Sequence, residues 1–250
     1  MSLLATEKIF HHNLRRTTIF LVIQYHGVKI FMKVMILAAG RGERMRPLTD
    51  AIPKPLLHVG QHCLIEHHIY RLANAGFEDF VINLAYLGEQ IEETLRNGQR
   101  YGINIQYSHE GKALGTGGGI KQALPLLGNA HFLVVNGDVW SDYPFAQLKQ
   151  RHFEKFAHLI LVDNPEHHPQ GDFCLDNNQV HTQCSQRLTF SGLGVYHPQL
   201  FQNSPLGKFE FAPLLIQAMQ SKQVTGEHYQ GNWLDVGTPQ RLAQLRAQYG

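Results

Sequence analysis

Val34-Met35-Ile36-Leu37-Ala38-Ala39 is an uninterrupted apolar run that stops at Gly40 and Gly42. A run this short, closed by glycine, reads as a strand buried on both faces of a parallel sheet. Parallel strands need crossovers, and helical patterns supply them. Leu64, Ile65, Ile69, Leu72 and Ala73 fall at helical spacing before Gly76, which predicts a helix over 63–75. Further strands are expected at 80–84, 103–107 and 132–135, with helices over 88–97 and from the glycines at 115–119 to about 124. The second half reads as strands near 158–163, 188–196 and 223–229 with helices near 144–153, 210–220 and 238–248. The alternation predicts an α/β fold: a Rossmann-like, mostly parallel sheet flanked by helices, with antiparallel additions late in the chain. Linkers, repeats and low-complexity tracts are lacking, so 32–250 is read as one domain.

The segment before Met32 has a different character. Residues 1–31 carry Lys8, Arg15, Arg16 and Lys29 against Glu7, so the remaining chain has 18 cations and 19 anions out of the totals of 22 and 20. The pI near 8.4 therefore does not describe the main domain, and a nucleic-acid partner loses its support. The apolar run Ile19–Ile23 is too short to span a bilayer, and no small-residue cleavage site follows it. We read 1–31 as an extension outside the core and Met32-Lys33 as a natural start. No membrane partner is expected. Three cysteines, Cys63, Cys174 and Cys184, are few and odd in number, so no disulfide framework is expected and a reducing cytoplasm is the simplest setting. The histidines are scattered and include no HExxH pattern, which gives little reason to expect a histidine-bound metal. Oligomeric state is not legible.

The loop after the first strand is suited to phosphate. Glycines at 40 and 42 let backbone N–H groups approach a polyphosphate closely. Arg41, Arg44 and Arg46 add charge, and arginine grips phosphate oxygens two at a time. The loop lies beyond the carboxyl end of its strand, where open α/β sheets bind ligands. It is neither a Walker A sequence, lacking Gly-Lys-Ser/Thr, nor a dinucleotide fingerprint, since Met45 stands at the third glycine position. Further on, Pro53 and Pro55 stiffen the backbone on both sides of Lys54 and aim one ammonium group.

From Leu37 to Pro55, the glycine- and arginine-containing loop, Pro47-Leu48-Thr49 and Pro53-Lys54-Pro55 together resemble the signature of the sugar-phosphate nucleotidyltransferase family. Glu110 with Leu114-Gly115-Thr116-Gly117-Gly118, Asn136-Gly137-Asp138 and Trp233-Leu234-Asp235-Val236-Gly237-Thr238-Pro239 extend the likeness over about 32–245. The resemblance implies a GT-A-like nucleotidyltransferase fold and an enzyme in which a sugar 1-phosphate oxygen attacks the α-phosphate of a nucleoside triphosphate. It implies Mg2+ held by Asp138 and Asp235, and Arg44 and Lys54 as the catalytic phosphate grip. Ala39, Gly40, Gly42, Glu43, Arg44, Lys54, Asn83, Gly115 and Asn136 become the expected nucleotide-binding residues, with Asn83 offering its amide to a uracil edge. Thr238 and Pro239 suit the start of a helix, which leaves Asp235 for another task.

Asp163 to Phe173, Asn136 to Trp140, Phe190-Ser191-Gly192 and Ala212 to Leu215 resemble the branch that transfers uridylyl groups to N-acetylmuramate 1-phosphate in cell-wall recycling. UTP and that sugar 1-phosphate are the expected substrates, with Gly171, Asp172 and Ser191 on the sugar. His167, His168 and Arg187 are candidates for the lactyl carboxylate. Gly115 departs from that branch, which can carry Glu there. Two alternatives remain: a guanylyl- or thymidylyltransferase for mannose, heptose or glucose 1-phosphate, and a non-catalytic nucleotide-sensing subunit.

Overall fold

The computed structural model describes residues 32–249, and the reading of 1–31 as an extension lies outside them. Strand β1 (Val34–Leu37) leads through the loop to a small hairpin, β2 (His58–Val59) and β3 (His62–Cys63), and then to helix α1 (Leu64–Asn74). There follow β4 (Asp79–Leu84), α2 (Gly88–Leu95), β5 (Asn104–His109), α3 (Gly115–Leu127), β6 (Phe132–Asn136) and β7 (Val139–Ser141). The later elements are α4 (Ala146–Gln150), β8 (Ala157–Val162), β9 (Cys174–Asp176), β10 (Gln179–His181), β11 (Thr189–Tyr196), α5 (Ala212–Gln220), β12 (Val224–His228), β13 (Trp233–Asp235) and α6 (Pro239–Tyr249).

Nine strands form one sheet in the order β5-β4-β1-β6-β11-β8-β12-β10-β9. The half built from β5, β4, β1 and β6 is parallel throughout. Strand β11 runs antiparallel to both β6 and β8, and the β9–β10 hairpin closes the far edge. Side chains alternate across the sheet as a pleat requires. Val34 and Ile36 of β1 enter one buried cluster with Leu133 and Val135, while Met35 enters the opposite one with Phe132 and Val134. Both faces are covered, which is why β1 reads as continuous apolar sequence.

A third cluster lies beneath the phosphate loop. Met45, Leu57, Val59, Leu64, Trp140, Val236, Leu242 and Leu245 pack together. Met45 is fully buried, so the position where a dinucleotide fingerprint has glycine is here an apolar anchor for the loop. This cluster joins the loop to β7, which Asp138 precedes, and through Val236 to the end of β13, where Asp235 stands.

His68, on α1, is buried beside this cluster, and burial pushes its imidazole down to about 4. An unfolded chain binds that proton near pH 6.5, so the folded state loses stability as pH falls from 6.5 towards 4. Urea unfolding should show about 2 kcal/mol of loss from this group between pH 7 and pH 5. His68→Leu should flatten that part of the profile, and an unchanged profile would show that the proton is taken up elsewhere.

One expectation is corrected. Cys174 and Cys184 form a disulfide, with Cα atoms 6.0 Å apart. Spacing in the sequence hid this pairing, because β9 and β10 fold back and return the chain to Cys174. Cys63 remains free and buried, its thiol pushed up to about 12 by burial. The cysteine argument for a reducing compartment therefore loses its footing.

Candidate active site

Strands β4, β1 and β6 end level with one another: Leu37 lies opposite Asn83 on one side and Asn136 on the other. Beyond this line the backbone of β1 turns into the loop. Gly42 adopts φ 69°, and a Cβ there would meet Thr49 and Lys54 side-chain carbons at 3.1 and 3.2 Å. Thr49, itself buried, donates its hydroxyl to the Gly42 carbonyl at 2.8 Å. Arg41 pairs with Glu43 and lies over the Tyr86 ring, while Tyr86 donates to the Thr49 and Asp50 carbonyls. The loop is thus held in shape from both ends.

After β6 the chain makes a tight turn. Gly137 donates its N–H to the Leu37 carbonyl, and a Cβ there would come within 2.6 Å of that oxygen. The next residue, Asp138, emerges at the sheet's carboxyl end as expected. Strand β7 then pairs antiparallel with β13, setting Asp235 opposite Val139. Val236 donates to the Asp138 carbonyl at 2.8 Å. Two acidic residues nearly a hundred positions apart in sequence are therefore neighbours on a two-stranded ribbon, and both line one cavity.

Each of them faces a cation. Lys54, only 7% exposed, places Nζ 2.6 Å from Asp138 Oδ2. Arg241, 9% exposed on α6, places Nη1 2.9 Å from Asp235 Oδ2. Thr238 caps α6 by accepting the Arg241 N–H at 3.3 Å, as its sequence position suggested. Two carboxylates with open oxygens, flanked by room for phosphate and water, form a donor set that suits Mg2+, which takes few protein ligands.

Two cavities meet here. The first, of about 370 Å³, is lined by Ala39, Gly40, Gly42, Glu43, Arg44, Lys54, Asn83, Gly115, Asn136 and Asp138. Every expected nucleotide-binding residue is among them. The second, of about 430 Å³, is lined by His167, His168, Asp172, Ser191, Gly192, Trp233 and Asp235. Arg44, Asn136 and Asp138 line both.

Several side chains do other work than expected. Asn83 accepts from the Ala38 N–H at 2.8 Å and donates to Glu110 at 2.6 Å, which leaves its amide one further donor and one lone pair. Glu110 in turn accepts from the Leu114 N–H ahead of α3. A Cβ on Gly119 would lie 2.5 Å from Glu110 Oε1, so the glycine-rich start of α3 makes room for this pair. Gly115 has φ 71°, and a Cβ there would meet the Phe209 carbonyl at 2.9 Å, so a Glu at this position would be strained. Ser191 is 1% exposed and gives its hydroxyl to the Ile160 carbonyl, where β11 shifts register against β8.

Two candidates fall away from the second cavity. Gly171 does not line it: with φ 59° it packs against Asn164 and Arg187, shaping the loop from behind. Arg187 is exposed and donates to the Thr182 carbonyl instead. His167 and His168 both remain on the cavity wall. His168 pairs with Asp172 at 3.0 Å, and Asp172 also accepts the Phe190 N–H. His167 sits against Arg241, and burial, helped by the guanidinium, holds its imidazole below the ordinary range. Arg241 was not singled out from the sequence. Its place in the sequence, in the first turn of α6 and six residues after Asp235, carries no motif.

The nucleotidyl transferase family model matches residues 33–174. The chain is 50% identical over 230 residues to N-acetylmuramate alpha-1-phosphate uridylyltransferase of Neisseria meningitidis serogroup B, covering 88% of this chain and 99% of that protein. It is 33% identical over 226 residues to mannose-1-phosphate guanyltransferase of Saccharomyces cerevisiae, but spans only 62% of its length. Among solved structures, HddC from Yersinia pseudotuberculosis complexed with GMP-PN superposes with a TM-score of 0.73 at 20% identity, over 88% of this chain and 100% of that one. That likeness bears on the fold alone, which is of the same GT-A-like kind.

Proposed function

The chain belongs to the nucleotidyl transferase family, and from that premise we propose that it transfers a uridylyl group from UTP to N-acetylmuramate 1-phosphate, releasing pyrophosphate. The observation that carries the reading is the shared wall of the two cavities. A nucleotide in the first and a sugar 1-phosphate in the second would bring their phosphates together at Arg44, Asn136 and Asp138. The choice of UTP and of muramate draws support from the half-identical relative, which matches along nearly its whole length.

Transfer at phosphorus asks little covalent chemistry of the protein, because the attacking phosphate oxygen is already ionised. It asks for position and for charge neutralisation. Asp138 and Asp235 would hold Mg2+, which when bound screens the phosphate charge. Lys54, released from Asp138, would reach the phosphate oxygens, and Arg44 stands between the two subsites. The backbone N–H groups around Gly40 and Gly42 would take the triphosphate. Residues 32–250 form the catalytic unit in this reading. No helix among the described residues is long and apolar enough to cross a membrane, and the need for UTP favours work in the cytoplasm, where muramate recovered from cell wall can be reused.

The second cavity is polar, and its wall presents His167 and His168. A site that pairs a lactyl carboxylate should reject N-acetylglucosamine 1-phosphate, which leaves those groups unpaired. Such a loss can reach about ten-thousand-fold in kcat/KM. Parallel assays with the two sugar phosphates should show that preference. Equal rates would remove muramate from the proposal and leave nucleotidyl transfer standing.

A further inference from the structure

Arg241 occupies an unusual place. It is a buried guanidinium outside both cavity walls, yet it touches a residue of the site from each side. Its Nη1 donates to Asp235 Oδ2 at 2.9 Å and to His167 Nε2 at 2.5 Å. His167 itself lies 3.8 Å from the same carboxylate oxygen. Asp235 ends β13, whereas His167 belongs to the loop after β8 that walls the second cavity. One nitrogen therefore ties the carboxylate ribbon to the acceptor loop.

The chemistry of the contact fixes more than distance. A guanidinium only donates, so His167 Nε2 must be the acceptor. The imidazole is then neutral with its proton on Nδ1, which leaves one N–H to offer to the acceptor. Arg241 also claims Oδ2 of Asp235 and leaves Oδ1. Space for this is built in. A Cβ on Gly237 would lie 2.4 Å from Arg241 Nη2, 2.9 Å from Asp235 Oδ1 and 3.0 Å from Arg44 Nη2. The helix that carries Arg241 is anchored by Leu242 and Leu245 in the third cluster.

We propose that Arg241 is a positioning residue that couples the metal-holding carboxylate Asp235 to the acceptor-side His167. The proposal rests on the functional reading above, in which Asp138 and Asp235 hold the metal and the second cavity takes the sugar. Its consequence is a paired defect. Losing the guanidinium frees the Asp235 carboxylate and the His167 ring at once, while the nucleotide loop, anchored by Met45 and Thr49, keeps its shape.

The test uses Mn2+ as the probe, its binding to the enzyme–UTP complex read from the EPR signal of free Mn2+, together with KM for each substrate. Arg241→Gln should weaken Mn2+ binding about ten-fold or more, as loss of a group orienting a metal ligand does. It should also raise KM for the sugar phosphate about ten-fold, the scale of one lost charge-assisted contact, and move KM for UTP by less than about three-fold. Arg241→Lys should keep Mn2+ binding close to normal but not the sugar KM, because a single ammonium can hold Asp235 without bridging to His167. This variant also carries the test if Arg241→Gln does not fold. His167→Ala should raise the sugar KM and leave Mn2+ binding unchanged. The proposal is overturned if Arg241→Gln moves only one of the two quantities or neither, if Arg241→Lys restores both, or if His167→Ala weakens Mn2+ binding as Arg241→Gln does. Asp235→Asn is the separate control: if it leaves Mn2+ binding intact, the metal reading itself has failed, whatever Arg241 does.

Discussion

Asp138→Asn and Asp235→Asn should each lower kcat by about a thousand-fold or more while the fold survives. An amide is a poor ligand for Mg2+, and the metal is expected to supply much of the charge neutralisation at the phosphates. Both substitutions keep the shape of the side chain and an oxygen that can accept. Lys54 in the first variant and Arg241 in the second therefore retain a hydrogen bond and lose an ion pair. That leaves a mostly buried cation without a counter-charge, so thermal unfolding should shift down modestly in each variant, with unchanged circular dichroism. Near-normal turnover of either variant with Mg2+ present would take that residue out of the site.

Lys54→Ala should reduce kcat/KM for both substrates about a hundred- to thousand-fold. Removing one preorganised, charge-assisted contact in a closed site costs roughly 2–4 kcal/mol of transition-state stabilisation. Lys54 is almost fully buried and bonded to Asp138, so its ammonium is already aimed where phosphate would arrive. Lys54→Arg should recover little. Pro53 and Pro55 fix the backbone, and a planar guanidinium does not replace a compact point charge held between them. Steady-state kinetics of the two variants decides this. An unimpaired Lys54→Ala enzyme would reduce Lys54 to the structural partner of Asp138.

The parts of the molecule legible in the sequence are those fixed by local chemistry. Apolar runs located β1, β4 and β6, because each is buried on both faces, and alternation located β5, which is half exposed. The glycine loop and Lys54 between its prolines announced a phosphate site for the same reason: the backbone demands are local. The meeting of Asp138 with Asp235 was not legible. It depends on the pairing of β7 with β13, each three residues long with no pattern of its own. Resemblance supplied that pairing in advance, and the ribbon accounts for it. Asn83 shows the opposite limit. Its position was foreseen, but its commitment to Ala38 and Glu110 depends on a gap left by Gly119, far along the chain. Gly171 was expected on the sugar through the resemblance of its segment, yet with its positive φ it lies outside the lining of the second cavity. The Cys174–Cys184 bond and the role of Arg241 likewise arise from tertiary proximity, which spacing alone does not encode.

Pyrophosphate release measured across a matrix of four nucleoside triphosphates and several sugar 1-phosphates tests substrate choice most directly. UTP with N-acetylmuramate 1-phosphate should give the highest kcat/KM, with UDP-N-acetylmuramate as the second product. A preference for GTP or for a hexose 1-phosphate without the lactyl group would contradict the proposed function, and no pyrophosphate from any pair would contradict catalysis at this site.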